Sequence, residues 1–134
     1  MAENFYGIWM MINDENYEEY LKELGVRSDL RKALVSLRVK PKSEVTISKD
    51  ANGIVTIRSQ RTNIKFKINE EFDETTGDDR KTKNVVSPDN GRLVQRQTWD
   101  GKETTIEREV VDNKLIVKYR MGDVVAVRTY VREA

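Results

Sequence analysis

Cysteine and histidine are both absent from the 134 residues of this chain. The lack of cysteine excludes a disulfide framework and thiolate-ligated zinc. The lack of histidine excludes the usual imidazole metal sites, histidine-based general acid–base catalysis and the Ser-His-Asp triad. Catalysis would have to rest on carboxylates, lysine or tyrosine, and the pattern offers neither paired inward acids nor a glycine-rich phosphate loop. We therefore expect a non-enzymatic protein that uses no metal and no cofactor.

Long apolar runs and an excess of one charge are missing as well. No run approaches the roughly 18 apolar residues of a transmembrane helix, and residues 1–5 lack the basic and apolar regions of a signal peptide. Lys and Arg together number 24, against 23 Asp and Glu, and a net charge of +1 gives no reason to expect nucleic acid as a partner. These features predict one cytoplasmic, monomeric domain over residues 1–134.

The first third of the chain has the pattern of a strand followed by helices. Residues 5–12 are expected to form the strand, and a cluster of capping residues at 13–16 indicates a helix N-terminus. Apolar side chains then recur at helical spacing over 17–24. A second capped helix follows, and Pro41 ends the helical region. The sequence therefore predicts a helix-turn-helix lid over about residues 14–38.

After the helical region the pattern changes to the alternation typical of β-strands. Short alternating segments recur roughly every 8–12 residues with turn signals between them. The clearest turn signals lie at 49–53, 87–91, 100–101, 112–113 and 122–123. About ten strands in so short a chain most simply close into a barrel, because closure removes exposed sheet edges. We predict an all-β fold, a ten-stranded antiparallel up-and-down β-barrel capped by the helical lid.

One arginine is expected to point into such a barrel. Glu107 and Glu109 share one face of their strand, so Ile106 and Arg108 share the other, whose neighbours are apolar. An inward arginine without a partner is very costly, and a ligand carboxylate would provide a bidentate, charge-assisted partner. The alternative from pattern alone is an ordinary outward charge on a solvated strand.

The last strand is ambiguous by the same reasoning. Ala126, Arg128 and Tyr130 share one face, but hydrophobicity alone does not decide which face of this strand is inward. If this set points inward, Arg128 and Tyr130 would add a second cation and a hydroxyl donor to Arg108. Together the three side chains would form a site for one carboxylate.

Five segments, in order along the chain, resemble the intracellular lipid-binding protein family, which comprises the fatty-acid-binding and cellular retinoid-binding proteins. The segments are Asn4 to Trp9, Glu15 to Val26, Glu70 to Lys81, Trp99 to Arg108 and Val127 to Tyr130. The Trp99 segment is most similar to the heart, adipocyte and myelin branch. This resemblance implies a lipocalin-like (calycin) barrel with lipid inside, and it indicates a carrier of long-chain fatty acids.

The resemblance also implies roles for individual residues. In the branch that it indicates, two arginines and a tyrosine bind the carboxylate, and Arg108, Arg128 and Tyr130 fall on those positions. The expected cavity lining comprises Arg80, Gln97 and Tyr17 from the resemblance and Tyr119 and Val117 from strand alternation. The alternatives are a plain hairpin charge for Arg80 and helix-to-barrel packing for Tyr17. Tyr119 stands where relatives often have a smaller residue. Lys22, Arg31 and Lys32 match bases linked in some relatives to transient membrane contact or nuclear import, although a solvated helix face is the alternative.

Two features of the sequence leave the identity of the bound lipid undecided. The turn near 58–63 is shorter than the family's, which predicts a differently gated portal. The ending at residues 128–133 resembles the cellular retinoic-acid-binding proteins, and the same three side chains would serve retinoic acid. A retinoid carrier is therefore the alternative to a fatty-acid carrier.

Overall fold

The fold is described by a computed structural model for residues 3–36, 44–59, 62–76 and 78–133. These residues form a short 3-10 helix, Glu3–Phe5, two α-helices and ten strands. The helices are α1 (Tyr17–Leu24) and α2 (Ser28–Ser36). The strands are β1 (Gly7–Glu15), β2 (Glu44–Lys49), β3 (Val55–Arg58), β4 (Asn63–Phe66), β5 (Phe72–Thr75), β6 (Lys81–Asp89), β7 (Arg92–Trp99), β8 (Lys102–Val111), β9 (Lys114–Met121) and β10 (Val124–Arg132).

All ten strands belong to one antiparallel sheet in the order β4-β3-β2-β1-β10-β9-β8-β7-β6-β5. The first and last strands are neighbours, so β1 joins the two halves of the sheet. The order ends at β4 and β5, where the rings of Phe66 and Phe72 stack with centroids 5.2 Å apart and planes 14° from parallel. Side-chain packing thus bridges the two sheet edges of a nearly closed barrel. The predicted ten-stranded barrel with a helical lid is confirmed.

Local sequence explains where α1 begins and ends. Asn16 adopts a left-handed conformation (φ 67°) before the first turn, and Gly25 (φ 91°) ends the helix with its N–H directed to the carbonyls of Leu21 and Lys22. The buried face of α1 packs on Trp99 and neighbouring residues of the barrel rim. In the described part of the chain, every helix is too short or too polar to cross a membrane.

Some boundaries differ from the sequence prediction. The helix begins at Tyr17 rather than near 14, because residues 13–15 continue β1 after a register shift between Met11 and Asn13. The turn predicted at 87–91 comprises only residues 90 and 91, because β6 continues to Asp89 and Pro88 lies in it opposite Leu93. The lid prediction for residues 37 and 38 lies outside the described residues.

The Asn4 to Trp9 segment contacts Arg132 near the end of β10. The Trp9 indole donates to the Phe5 carbonyl over 3.0 Å, and both rings are buried. The guanidinium of Arg132 lies 4.3 Å from the Trp9 ring centroid and donates to the Tyr6 carbonyl over 2.7 Å. These contacts hold β10 against β1, and β10 carries two of the candidate site residues.

The barrel interior divides into two walls of different chemistry. We define the apolar wall as the buried apolar side chains of β2–β4, namely Ile47, Val55, Ile57, Ile64 and Phe66. We define the polar wall as the buried polar side chains of β6–β8, namely Thr82, Asn84, Gln95, Gln97, Thr104 and Arg108. Because alternate residues of a barrel strand face inward, both walls come from the same backbone pattern. Their contrast follows from side-chain choice alone.

Candidate functional site

A cavity of about 200 Å³ lies between the two walls, beneath α1. Its lining comes from the lid, both walls, β10 and the β5–β6 hairpin. The lining includes Met11, Tyr17, Tyr20, Leu21, Leu24, Ile57, Ile64, Glu74, Asp78, Arg80, Gln95, Gln97, Ile106, Arg108, Tyr119, Arg128 and Tyr130. Apolar and ionisable side chains thus share one cavity, which is the arrangement that an amphiphile requires.

The three candidate carboxylate ligands all line this cavity, as do four of the five other predicted lining residues, Arg80, Gln97, Tyr119 and Tyr17. The alternation in β10 is therefore resolved. Ala126, Arg128 and Tyr130 point inward. Val117 is also buried, but it belongs to the hydrophobic core around Tyr130 and not to the residues that line this cavity.

Arg108 is a buried cation with a neutral partner. Arg108 is 9% exposed, and its Nη1 donates to Oε1 of Gln95 over 2.8 Å. Burial lowers the pKa of the guanidinium, against the opposing influence of Tyr119 and Glu74, but an arginine remains charged at neutral pH. Within the part of the chain that the structure describes, Arg108 makes no ion pair. A ligand carboxylate would supply a counter-charge in direct contact with the guanidinium.

Arg128 is held quite differently. Its Nε lies 3.5 Å from Oδ1 of Asp14, and both side chains are largely buried. Its Cζ lies 3.5 Å from the centroid of the Tyr17 ring, and both Arg128 and Tyr130 line the cavity. Burial disfavours the charge of Arg128, but the surrounding phenols and the Asp14 carboxylate outweigh burial and raise its pKa.

The polar wall is tied together by its amide side chains. Oδ1 of Asn84 accepts from Nε2 of Gln95 over 2.8 Å and from Nε2 of Gln97 over 3.1 Å. Gln97 also accepts from Arg80 over 3.0 Å and donates to Glu74 over 3.1 Å. These bonds fix the amide orientations, so that Gln95 presents its carbonyl oxygen to Arg108. The network thereby positions the Arg108 guanidinium.

Two carboxyl groups at the polar wall have opposite pKa shifts. Burial raises the pKa of Glu74, although the charges of Arg108 and Arg80 oppose this shift. Burial also opposes ionisation of Asp78, but there the hydrogen bonds from Arg80 and Thr76 prevail and lower the pKa. Asp78 accepts from Nη2 of Arg80 over 3.0 Å, so Arg80, unlike Arg108, has its own counter-ion.

Two tyrosines of the lid, Tyr17 and Tyr20, meet Tyr119 of β9 at the cavity. The Tyr119 ring lies 5.4 Å from Tyr17 and 5.3 Å from Tyr20, centroid to centroid. Burial raises the pKa of Tyr17 to about 12 and also raises the pKa of Tyr20 and Tyr130. These phenols are therefore neutral at physiological pH, so they act as hydrogen-bond donors and apolar surface rather than as bases.

Strands β3 and β4 are paired up to the residues that flank the shortened turn. The last strand pair is Arg58 opposite Asn63. The Ser59 N–H donates to the Thr62 carbonyl over 2.8 Å, and the Ser59 and Thr62 hydroxyls are 2.8 Å apart. Both of these side chains line the cavity. Residues 60 and 61 lie outside the described residues, so the predicted change in portal gating stays a prediction.

A model of the lipocalin / cytosolic fatty-acid binding protein family matches residues 6–133. The chain belongs to this family. Members of this family are carriers without enzymatic activity, so the expectation of a non-enzymatic protein is confirmed. The resemblance inferred from the five sequence segments is likewise confirmed.

Individual relatives match this family member over nearly its full length. It is 46% identical to fatty acid-binding protein 9 of Homo sapiens, over 97% of this chain and 98% of that protein. It is 45% identical to the adipocyte fatty acid-binding protein of Pygoscelis papua, over 98% and 99%. The solved structure of a Schistosoma mansoni fatty acid binding protein in complex with arachidonic acid is similar at a TM-score of 0.85 and 32% identity, covering 98% of each chain.

Sequence reasoning missed several acidic residues of the site, among them Asp14, Glu74 and Asp78. Asp14 was attributed to helix capping, whereas it lies in β1 directly opposite Arg128. Glu74 was quoted only as part of a family segment, yet it lines the cavity beside Gln97. Period-two alternation would group Asp14 with Ile8 and Ile12, whose side chains are exposed, and so would place it outward. The register shift between Met11 and Asn13 reverses the alternation and brings Asp14 opposite Arg128.

Proposed function

We propose that this protein binds and transports long-chain fatty acids, with the acid head group held by Arg108, Arg128 and Tyr130. The observation that carries the proposal is Arg108, a buried guanidinium that lines the cavity and makes no ion pair within the described residues. A buried charge without a counter-ion is costly. A bound carboxylate would remove that cost, which gives the cavity a reason to prefer anionic amphiphiles.

The acyl chain would provide most of the affinity. Each methylene group that leaves water contributes about 0.8 kcal/mol, and Ile57 and Ile64 of the apolar wall offer a matching surface. Ordering of the chain and of the protein offsets part of this gain. The arginines then act mainly on orientation and on the choice of acids over alcohols. No bond is made or broken, so release is the reverse of binding.

Retinoic acid is the alternative ligand. It would present the same carboxylate to Arg108, and the tyrosines Tyr17, Tyr20 and Tyr119 form an aromatic surface suited to a rigid conjugated chain. Tyr119 lines the cavity, and its phenol leaves less room for either ligand than a smaller side chain would. Fatty acid remains the proposal because the matched relatives are fatty acid-binding proteins.

A displacement titration tests this proposal. The delipidated protein is loaded with an anilinonaphthalene sulfonate probe and titrated with oleate, retinoic acid and retinol. We expect oleate to displace the probe at the lowest concentration and retinol, which lacks a carboxylate, at the highest. If retinol matched oleate, the role of Arg108 and Arg128 would be refuted. If retinoic acid outcompeted oleate, the retinoid alternative would replace the proposal.

We further propose that the protein works as a cytosolic monomer that touches membranes transiently through the lid. The bases considered for this contact differ in availability. Lys32 is exposed, and Lys22 is also exposed, although its Nζ lies 3.3 Å from Oε1 of Glu19. Arg31 is partly buried and donates to the Val26 carbonyl over 2.8 Å. Lys32 and Lys22 are therefore the better candidates for contact with anionic lipid. Nuclear entry stays a prediction from resemblance.

A further inference from the structure

The arginines of the cavity are not equivalent in their counter-ions. Arg128 is paired with Asp14, and Arg80 is paired with Asp78. Arg108 makes no ion pair within the described residues and bonds to the neutral Gln95. One of the two arginines proposed to hold the ligand head group is therefore already neutralised by the protein itself, before any ligand arrives.

We propose that Asp14 is a specificity-determining residue that competes with a ligand carboxylate for Arg128 and so widens the ligand class to amphiphiles with uncharged polar head groups. The inference rests on the proposed function, because it assumes that Arg128 faces the ligand head group. Asp14 does not contact the ligand in this scheme. It acts through Arg128.

The geometry at Arg128 supports this role. Asp14 approaches Nε at 3.5 Å, and the Tyr17 ring covers one face of the guanidinium at 3.5 Å. The carboxylate and the ring together fix the side chain from two directions. Asp14 sits directly opposite Arg128 on the neighbouring strand, so the pair is built into the sheet register.

The electrostatic consequence follows from the sign of the charges. A ligand carboxylate that reaches Arg128 comes close to the Asp14 carboxylate, and two like charges at short range disfavour each other. An alcohol or a primary amide meets no such penalty and can still bond to Arg128 and Tyr130. The Asp14–Arg128 pair should therefore lower the preference for acids over neutral lipids of equal chain length, while Arg108 maintains a preference for acids.

The test compares the affinities of oleate and oleyl alcohol for wild-type protein and for Asp14→Asn. Both ligands have the same chain, so their affinity ratio isolates the head group. We expect the ratio of oleate to oleyl alcohol affinity to rise about ten-fold in D14N, within the range usual for coupling between two sites. The matched control is Glu15→Gln, which removes the same charge from the next residue of β1, where the side chain is exposed. The control ratio should equal that of wild type.

A double variant keeps the test valid if D14N loses stability. In Asp14→Asn/Arg128→Gln both members of the pair are neutral and similar in size. Relative to Arg128→Gln alone, the added D14N change should leave the ratio unaltered, since its effect requires the Arg128 charge. The role of Asp14 would be overturned if the ratio of oleate to oleyl alcohol affinity did not change in D14N. It would also be overturned if the ratio rose equally in E15Q, or if D14N raised it equally in the R128Q background. Each of these results would leave fatty-acid binding intact. Wild-type protein that bound neither ligand would overturn the proposed function as well.

Discussion

The two walls of the barrel have the same strand geometry and opposite interiors. On β2–β4 the inward positions are aliphatic or aromatic, and the wall ends in the Phe66–Phe72 stack at the sheet edges. On β6–β8 many inward positions are polar, and amide hydrogen bonds centred on Asn84 satisfy them. The apolar wall is stabilised by burial alone, while the polar wall is stable only as a connected network. A cavity between such walls has one side for an acyl chain and one side for a head group.

The largest effect is expected where the apolar wall meets the sheet edge. Phe66→Ala should lower the free energy of unfolding by about 3–5 kcal/mol, because a 3% exposed ring is lost and the two edges lose their bridge. Urea denaturation followed by fluorescence measures this change. Lys65→Ala, an exposed neighbour on the same strand, is the control and should change little. A loss below about 1 kcal/mol for F66A would mean that the stack does not hold the barrel closed.

At the polar wall the expected loss is in affinity rather than in stability. Arg108→Gln removes a charged hydrogen-bond partner of the ligand, typically worth about 1.5–3 kcal/mol, so oleate affinity should fall roughly ten- to a hundred-fold. Oleyl alcohol affinity should stay near the wild-type value. Titration calorimetry with both ligands measures the difference. Arg96→Gln, on the outward face of β7, is the control, and equal losses for the two variants would remove Arg108 from the site.

The pKa values of Glu74 and Asp78, the two carboxyl groups at the polar wall, are shifted in opposite directions. The pH dependence of the free energy of unfolding tests both shifts. The raised pKa of Glu74 means that the native state binds more protons than the unfolded state just above the ordinary value of 4.5. The free energy of unfolding should therefore fall as pH rises through that window. Glu74→Gln should remove this decline. Urea denaturation across a pH series measures it, and a decline that persisted in E74Q would assign it to another group.

Asp78 should behave in the opposite way. Its lowered pKa means that its contribution is present above the ordinary value of 3.8 and is lost as pH falls further. Asp78→Asn should therefore weaken the fall in stability on acidification. If D78N and E74Q changed the same part of the pH profile, the contrast between the two carboxyl groups would be wrong.

The smallest effect is expected outside both walls, on the lid. Replacing Lys22 and Lys32 with glutamine should slow ligand transfer to anionic vesicles, since each lysine near such a surface contributes about 1 kcal/mol. The wild-type rate should fall with added salt. Transfer measured by fluorescence energy transfer tests this. The pair Lys65→Gln and Lys67→Gln, exposed on and just after β4, is the control, and equal slowing would argue against a lid-specific contact.

Sequence alone predicts the parts of this molecule that local rules determine. Helical spacing ending at Gly25 predicts α1, and the glutamates on either side of Arg108 predict that this arginine points inward. The ion pair of Asp14 with Arg128 depends on register across a bulge, which no local pattern reveals. The turn predicted at 87–91 was wrong at Pro88, which lies in β6. Proline is tolerated in a strand where its missing N–H faces away from a partner. The hydrogen bonds of the polar wall could not be predicted from the sequence, because they join side chains of different strands. Only the folded sheet shows which strands are neighbours.

Mass spectrometry of the lipids extracted from the purified protein tests the central claim most directly. We predict carboxylic-acid lipids with long acyl chains, at close to one molecule per chain, and a marked loss of these acids from protein carrying Arg108→Gln. Recovery of no lipid, of lipids without a carboxylate only, or of the same acids in equal amount from the R108Q protein would contradict a fatty-acid carrier built around Arg108.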